Sequence, residues 1–171
     1  MKINVERSFL EINSLKDLNS SKNPGSNFKI IQVDPPDFQL NKFFYKQIGK
    51  NHHWKDRLIW SDNKWISYVS NPTVSTFILK ENENLVGFFE LIYHKKKFEI
   101  EIAYLGLLNE YLNRKLGGYL LSEAIKISFS YKNVSRVWVH TCSLDHKNAL
   151  KNYLSRGMKV FNTEKVVAKI A

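Results

Sequence analysis

The densest run of ligand-binding residue types is Leu105 to Leu121, LGLLNEYLNRKLGGYLL. A strand pattern enters a loop holding Arg114, Lys115, Gly117 and Gly118, and a helix pattern follows at once. The first turn of a helix leaves its N–H groups unpaired and presents the positive end of the dipole. Glycine lets an anion approach the backbone closely, and two flanking cations add charge-assisted contacts. The chemistry is that of a pyrophosphate cradle. It is neither a Walker loop nor the three-glycine dinucleotide fingerprint, because both spacings are absent. Gly-Gly ahead of a helix also serves tight helix–strand packing, and from these residues alone both roles stand.

Other reactive side chains are scattered. Glu99 and Glu101 alternate with Ile100 and Ile102 on the strand before the loop. Strict alternation puts Glu99, Glu101, Ala103 and Leu105 on one face and Phe98, Ile100, Ile102 and Tyr104 on the other. Ala149, Tyr153 and Gly157 share a four-residue spacing on a later helix. His52 and His53 are adjacent, so their side chains diverge, and with Cys142 remote they make a poor metal set; no metal is expected. His140 reads as a packed core histidine. Trp54, Arg57, Trp60 and Trp65 form either a pocket wall or a second small core.

The elements that must position these groups follow from periodicity and breakers. Strands are expected at Ser8–Ile12 and Phe28–Val33, the second stopped by Asp34-Pro35-Pro36. A helix capped by Asp37 carries Leu40, Phe43, Phe44, Gln47 and Ile48 and ends at Gly49; a second, capped by Asp62, ends before Asn71-Pro72. Strands at Ser75–Lys80, Leu85–Tyr93 and Phe98–Leu107 come next, with Lys95-Lys96-Lys97 at a hairpin turn. A helix from Leu116 to Tyr131, a strand Arg136–Cys142, a helix capped by Asp145 and ended by Gly157, and a strand or strand pair Val160–Ile170 complete the order. A meander followed by a β-α-β crossover means one domain over residues 1–171: a mixed α/β fold with helices on both faces of the sheet.

The cradle and the Ala149-Tyr153-Gly157 helix together resemble the acyl-CoA-dependent N-acyltransferase superfamily known as GNAT. Its cofactor motif R/Q-x-x-G-x-G/A precedes a leucine pair, here Leu120-Leu121, and its last helix reads N-x-x-A-x-x-x-Y-x-x-x-G-F. The resemblance covers roughly residues 75–162. The runs Glu101–Leu108, Val137–Asp145 and Trp54–Trp60 are similar to an uncharacterised bacterial subgroup. Leu112 stands where Arg or Gln is usual, and Lys115 takes the first motif glycine with Gly117 the second. Asn113 takes another position that is often glycine, and Asn enters the left-handed region readily. His146 replaces the motif asparagine, and Met158 the final aromatic.

The resemblance implies a largely antiparallel mixed sheet that splays at the CoA site. It implies an acetyl or short acyl group moved from acyl-CoA to a primary amine by direct attack, with no covalent enzyme intermediate. Acyl-CoA would be held by Leu105, Leu107, Leu112, Asn113, Arg114, Lys115, Leu116, Gly117, Gly118, His146 and Tyr153. The backbone N–H near Leu105 would polarise the thioester carbonyl. Tyr153 would be the acid for the leaving thiolate, and Glu101, or else Glu99, the base. Trp54, Arg57 and Trp60 would contact a small amine acceptor. The alternative is a non-catalytic module that binds acyl-CoA or a nucleotide on the same fold.

Composition narrows the partners. The formal charge is +10, yet the lysines are scattered through loops and helix faces rather than gathered into a nucleic-acid-binding helix or strand pattern, so nucleic acid is not expected. No apolar run is long enough to cross a bilayer, and the charged start Met1–Arg7 lacks the apolar core of a secretion signal. A single cysteine suits a reducing compartment, hence a cytoplasmic location and no membrane partner. A homodimer is admitted beside the monomer.

Overall fold

The computed structural model describes residues 1–169. Four helices pack on both faces of a seven-stranded sheet. In chain order the elements are β1 (Lys2–Ile12), β2 (Phe28–Gln32), α1 (Phe38–Gly49), α2 (Asp62–Val69), β3 (Val74–Glu81), β4 (Asn84–His94), β5 (Glu99–Leu107), α3 (Leu116–Ser130), β6 (Arg136–Cys142), α4 (Ala149–Ser155) and β7 (Lys159–Lys169). The sheet order is β2-β3-β4-β5-β6-β1-β7, antiparallel except for β5 against β6. Ile170, expected at the end of the last strand, lies outside the described residues.

Two apolar clusters fill the two faces. The larger lies under α3 and α4 and joins Ile100, Ile102, Leu116, Leu120, Val137, Val139 and Tyr153. The smaller lies under α1 and joins Phe44, Ile48, Ile78 and Phe88, with Trp54 and Tyr104 packed against it. Trp65 is buried separately, against Tyr45 and Trp60.

Four local expectations are corrected. The first strand starts at Lys2 rather than Ser8 and lies inside the sheet, between β6 and β7. Its charged Glu6-Arg7 pair masks the strand pattern, which cross-strand bonding to β7 overrides. Ser61 rather than Asp62 caps α2, its hydroxyl accepting from Lys64 N. Asp145 does not cap α4, whose cap position is Asn148. Its carboxylate instead accepts from Thr141 Oγ1 (2.6 Å) and Cys142 N (3.0 Å), closing the turn after β6.

The fourth correction moves side chains to the other face. Glu90 opposes Tyr104 and Leu91 opposes Ile102, so Ala103 is an extra residue in β5. A bulge of this kind reverses the alternation beyond it. Ile100, Ile102, Leu105 and Leu107 consequently share the α3 face, and Tyr104 turns to the α1 face.

Candidate functional site

The parallel β5–β6 pairing lasts for three residues only: Glu99 with Arg136, Ile100 with Val137, Glu101 with Trp138. β5 continues to Leu107 and β6 to Cys142, but past Glu101 and Trp138 the strands diverge. The wedge between them opens a cleft of about 1070 Å³. It reaches both faces of the sheet, for it is lined by Val139 of the α3-side core and by His140, which contacts Phe9 on the opposite face.

On the α3 side the cleft meets the first turn of α3. Lys115 and Asn113 are both left-handed, with φ of 60° and 62°. A left-handed residue with a Cβ costs roughly 1–2 kcal/mol, so Lys115 adopts a glycine's conformation without being one. The loop thereby turns into α3 with the N–H groups of Leu116, Gly117 and Gly118 at the helix start.

A side chain at position 118 would strike Arg156 Nη1 at 2.6 Å, so Gly118 lets that guanidinium lie against the helix start. Arg156 makes no ion pair among the described residues, and its buried Nε has no hydrogen-bond partner. A cation against the positive end of a helix is unfavourable unless an anion lies between them. Asn152 Nδ2 donates to Gly117 O (3.0 Å) and braces α4 on this turn. Ser21, whose N–H is held by Ser122 Oγ at 2.9 Å, completes the rim.

The family model for the GNAT acetyltransferase family matches residues 35–158, most of the chain. The chain belongs to the GNAT acetyltransferase family. Acetyl-CoA is that family's co-substrate, and a helix start with an unpaired arginine beside it fits the diphosphate of such a group.

Solved structures share the GNAT fold at low identity. A GCN5-related N-acetyltransferase from Kribbella flavida is 13% identical, over 97% of this chain and 58% of that one, with a TM-score of 0.66. Another from Sphaerobacter thermophilus is 14% identical over 95% and 50%, with a TM-score of 0.69. An aminoglycoside acetyltransferase from an uncultured soil metagenomic sample is 16% identical over 78% and 90%, with a TM-score of 0.64. This chain thus spans between half and three-fifths of the first two. No curated protein matches the sequence.

Most side chains expected to hold acyl-CoA in this GNAT domain line the cleft: Leu105, Leu107, Leu112, Asn113, Lys115, Leu116, Gly117, Gly118, His146 and Tyr153. Arg114 does not; it turns to Glu81 at 3.1 Å and lies over the Tyr111 ring. Tyr153 is 7% exposed, and burial, with the nearby Asp145 charge, raises its phenol above its ordinary value. It is therefore a protonated phenol at neutral pH.

The expected base and acceptor contacts are placed differently. Glu99 is paired with Arg136 at 3.2 Å, and Arg136 also binds Glu11 at 2.8 Å. Glu101 is held by His94 Nε2 at 2.9 Å, and neither glutamate lines the cleft. Arg57 is buried, its Nη1 2.9 Å from both oxygens of Glu90, under the rings of Tyr68 (4.2 Å), Tyr104 (4.4 Å) and Trp60 (4.8 Å). Asn41 Nδ2 and the Tyr68 hydroxyl also donate to Glu90. Arg57 is thus an internal strut, and the half-buried Trp60 packs on it outside the cleft.

Of the three expected acceptor contacts only Trp54 reaches the cleft, its Nε1 donating to Asp145 Oδ1 at 3.3 Å. Gly49 makes room for it, since a Cβ there would lie 2.5 Å from Trp54 Cβ.

His140 lines the cleft, where neither glutamate does. It lies past the point where β5 parts from β6, with its ring against Phe9 and one side open to the cleft. Loss of water, then Arg7, hold its imidazole below the ordinary 6.5, while Glu101, Asp145 and Asp56 pull upward. Cys142 also lines the cleft, but burial raises its thiol above the ordinary value, so it is not a thiolate nucleophile at neutral pH. Among the described residues no cluster of His, Cys, Asp or Glu could hold a metal ion, and no helix is long and apolar enough to cross a membrane.

Proposed function

We propose that the protein transfers an acetyl or other short acyl group from acyl-CoA to the primary amine of a small acceptor, in a reducing compartment such as the cytoplasm. The observation that carries this reading is the wedge itself. It joins an anion-binding helix start on one face of the sheet to a cleft lined by imidazoles, Trp54 and Tyr104 on the other.

The co-substrate supplies an activated acyl group on sulfur. Lys115, Arg156 and the first N–H groups of α3 hold its phosphates, and Leu105 and Leu107 flank the wedge through which its arm passes. The acceptor nitrogen bonds the acyl carbon as the carbon–sulfur bond breaks. His140, neutral at pH 7, accepts the proton from nitrogen, within the field of the Glu101 carboxylate. Tyr153 gives a proton to the departing sulfur, which keeps the electron pair. No step needs a covalent enzyme intermediate.

The test is thiol release from acetyl-CoA with a panel of primary amines, beside equilibrium binding of CoA. Amine-dependent release is expected. CoA binding without release for any amine supports a binding module instead, and no CoA binding at millimolar concentration sinks both readings.

A further inference from the structure

The arginines divide cleanly by position. Arg57, Arg114 and Arg136 lie outside the cleft, and each is paired with carboxylate: Glu90, Glu81, and Glu11 with Glu99. Arg7 and Arg156 line the cleft, and among the described residues neither makes an ion pair or side-chain hydrogen bond. Arg156 belongs to the phosphate end. Arg7 does not. It opposes Cys142 across β1 and β6, and acts electrostatically on both His140 and Cys142. It therefore stands on the acceptor side.

The surroundings of Arg7 call for an anion. Val5 and its cross-strand partner Val166 line the cleft two residues along β1 from Arg7 and give it apolar walls there. A half-buried guanidinium in such walls is costly while unpaired, and its planar fork matches a carboxylate with two parallel hydrogen bonds. Asp56 and Asp145 line the same part of the cleft and repel a ligand of net negative charge. An anion that brings its own cation satisfies both signs.

We infer that the acceptor carries a carboxylate as well as the amine, an amino acid in the simplest case, and that Arg7 binds that carboxylate in the cleft beside His140. This inference rests on the acyl-transfer reading above.

The experiment compares matched pairs in thiol release: each proteinogenic amino acid against its decarboxylated amine, and β-alanine against O-phosphoethanolamine. The expected result is a kcat/KM ratio favouring the carboxylate member, which Arg7→Gln reduces by about tenfold or more. Arg7→Lys is expected to restore part of the ratio, because charge survives while the fork does not. Each variant is first checked for an unchanged CoA dissociation constant and melting temperature, which separates recognition from misfolding. A wild-type ratio at or below one, a preference for the phosphate ester, or a ratio unmoved by Arg7→Gln overturns the carboxylate site and leaves acyl transfer standing. Absence of release with every acceptor, or of CoA binding, falls instead on the acyl-transfer reading.

Discussion

Arg57 Nη1 lies 2.9 Å from each oxygen of Glu90, and both side chains are almost wholly buried. The pair ties the segment between α1 and α2 to the middle of β4, and that segment carries Trp54 into the cleft. Removing one partner strands the other charge in the core. Glu90→Gln is expected to lower unfolding free energy by about 3–5 kcal/mol in urea titration. Glu90→Gln with Arg57→Met should recover part of that loss, because the stranded charge is gone. If the double variant is no more stable than the single one, the pair is not what holds the segment.

Lys115 gives a second test, because conformation and contact predict opposite signs. Glycine at 115 removes the left-handed strain and should raise stability by about 1 kcal/mol, offset somewhat by backbone entropy. CoA should nevertheless bind more weakly, because a cation at the cradle is lost. Arg156→Ala should weaken CoA binding by about tenfold or more, in line with a charged hydrogen bond worth about 1.5–3 kcal/mol. Calorimetry on both variants, with thermal melts, reads the two effects separately. CoA affinity unchanged in Arg156→Ala would mean that the helix start is not the phosphate site.

The hydroxyl of Tyr153 has no protein hydrogen-bond partner among the described residues, so Tyr153→Phe should leave stability and CoA affinity near wild type. Turnover should fall by about a hundredfold. Because burial raises the phenol, wild-type kcat should show no loss on the alkaline side below about pH 10. A kcat that declines between neutral and mildly alkaline pH would assign the acid elsewhere.

His140 makes stability pH-dependent with a definite sign. Its folded pKa lies below the unfolded 6.5, so on acidification the unfolded chain takes the proton first. This contribution is intact above 6.5 and is lost as the pH falls from 6.5 through the lower folded value. His52, also lowered by burial, acts in the same direction. Arg7 deepens the depression at His140, while Glu101, Asp145 and Asp56 oppose it. Urea titrations at about pH 7.5 and about pH 5.5 should give the smaller free energy at the acid end, with the gap narrowed by His140→Gln. A protein more stable at the acid end would contradict the assignment.

Much of the helix start proposed to hold phosphate was legible as local structure, because its residues are consecutive. Lys115, Gly117 and Gly118 are consecutive with the helix they start, and Tyr153 marks the later helix by spacing alone. The other side of the cleft, where the acceptor is proposed to sit, was not legible. The bulge at Ala103 exists only in the pairing of β5 with β4, and it moves Tyr104 to the face opposite the one alternation assigns. His140 sits in a β-branched run that reads as fully buried; it lies past Trp138, where the pairing of β6 with β5 ends. Arg156 reaches Gly118 through the packing of α4 on α3. Arg57 lies in the segment expected to touch the acceptor, but Glu90, its partner, is 33 residues away with nothing local to announce it.

The position of β1 has a consequence for how the molecule is made. Lys2 opposes Lys169, so β1 must wait for β7, made more than a hundred residues later, before its second edge is covered. Until then its backbone donors and acceptors are open, and β6 can satisfy only one side. Pairings this distant in sequence close slowly. Arg7 on β1 and Val166–Lys169 on β7 both line the cleft. A nascent chain can therefore build the start of α3 before β7 exists, while the part of the cleft bounded by β1 and β7 is completed only after both strands are made.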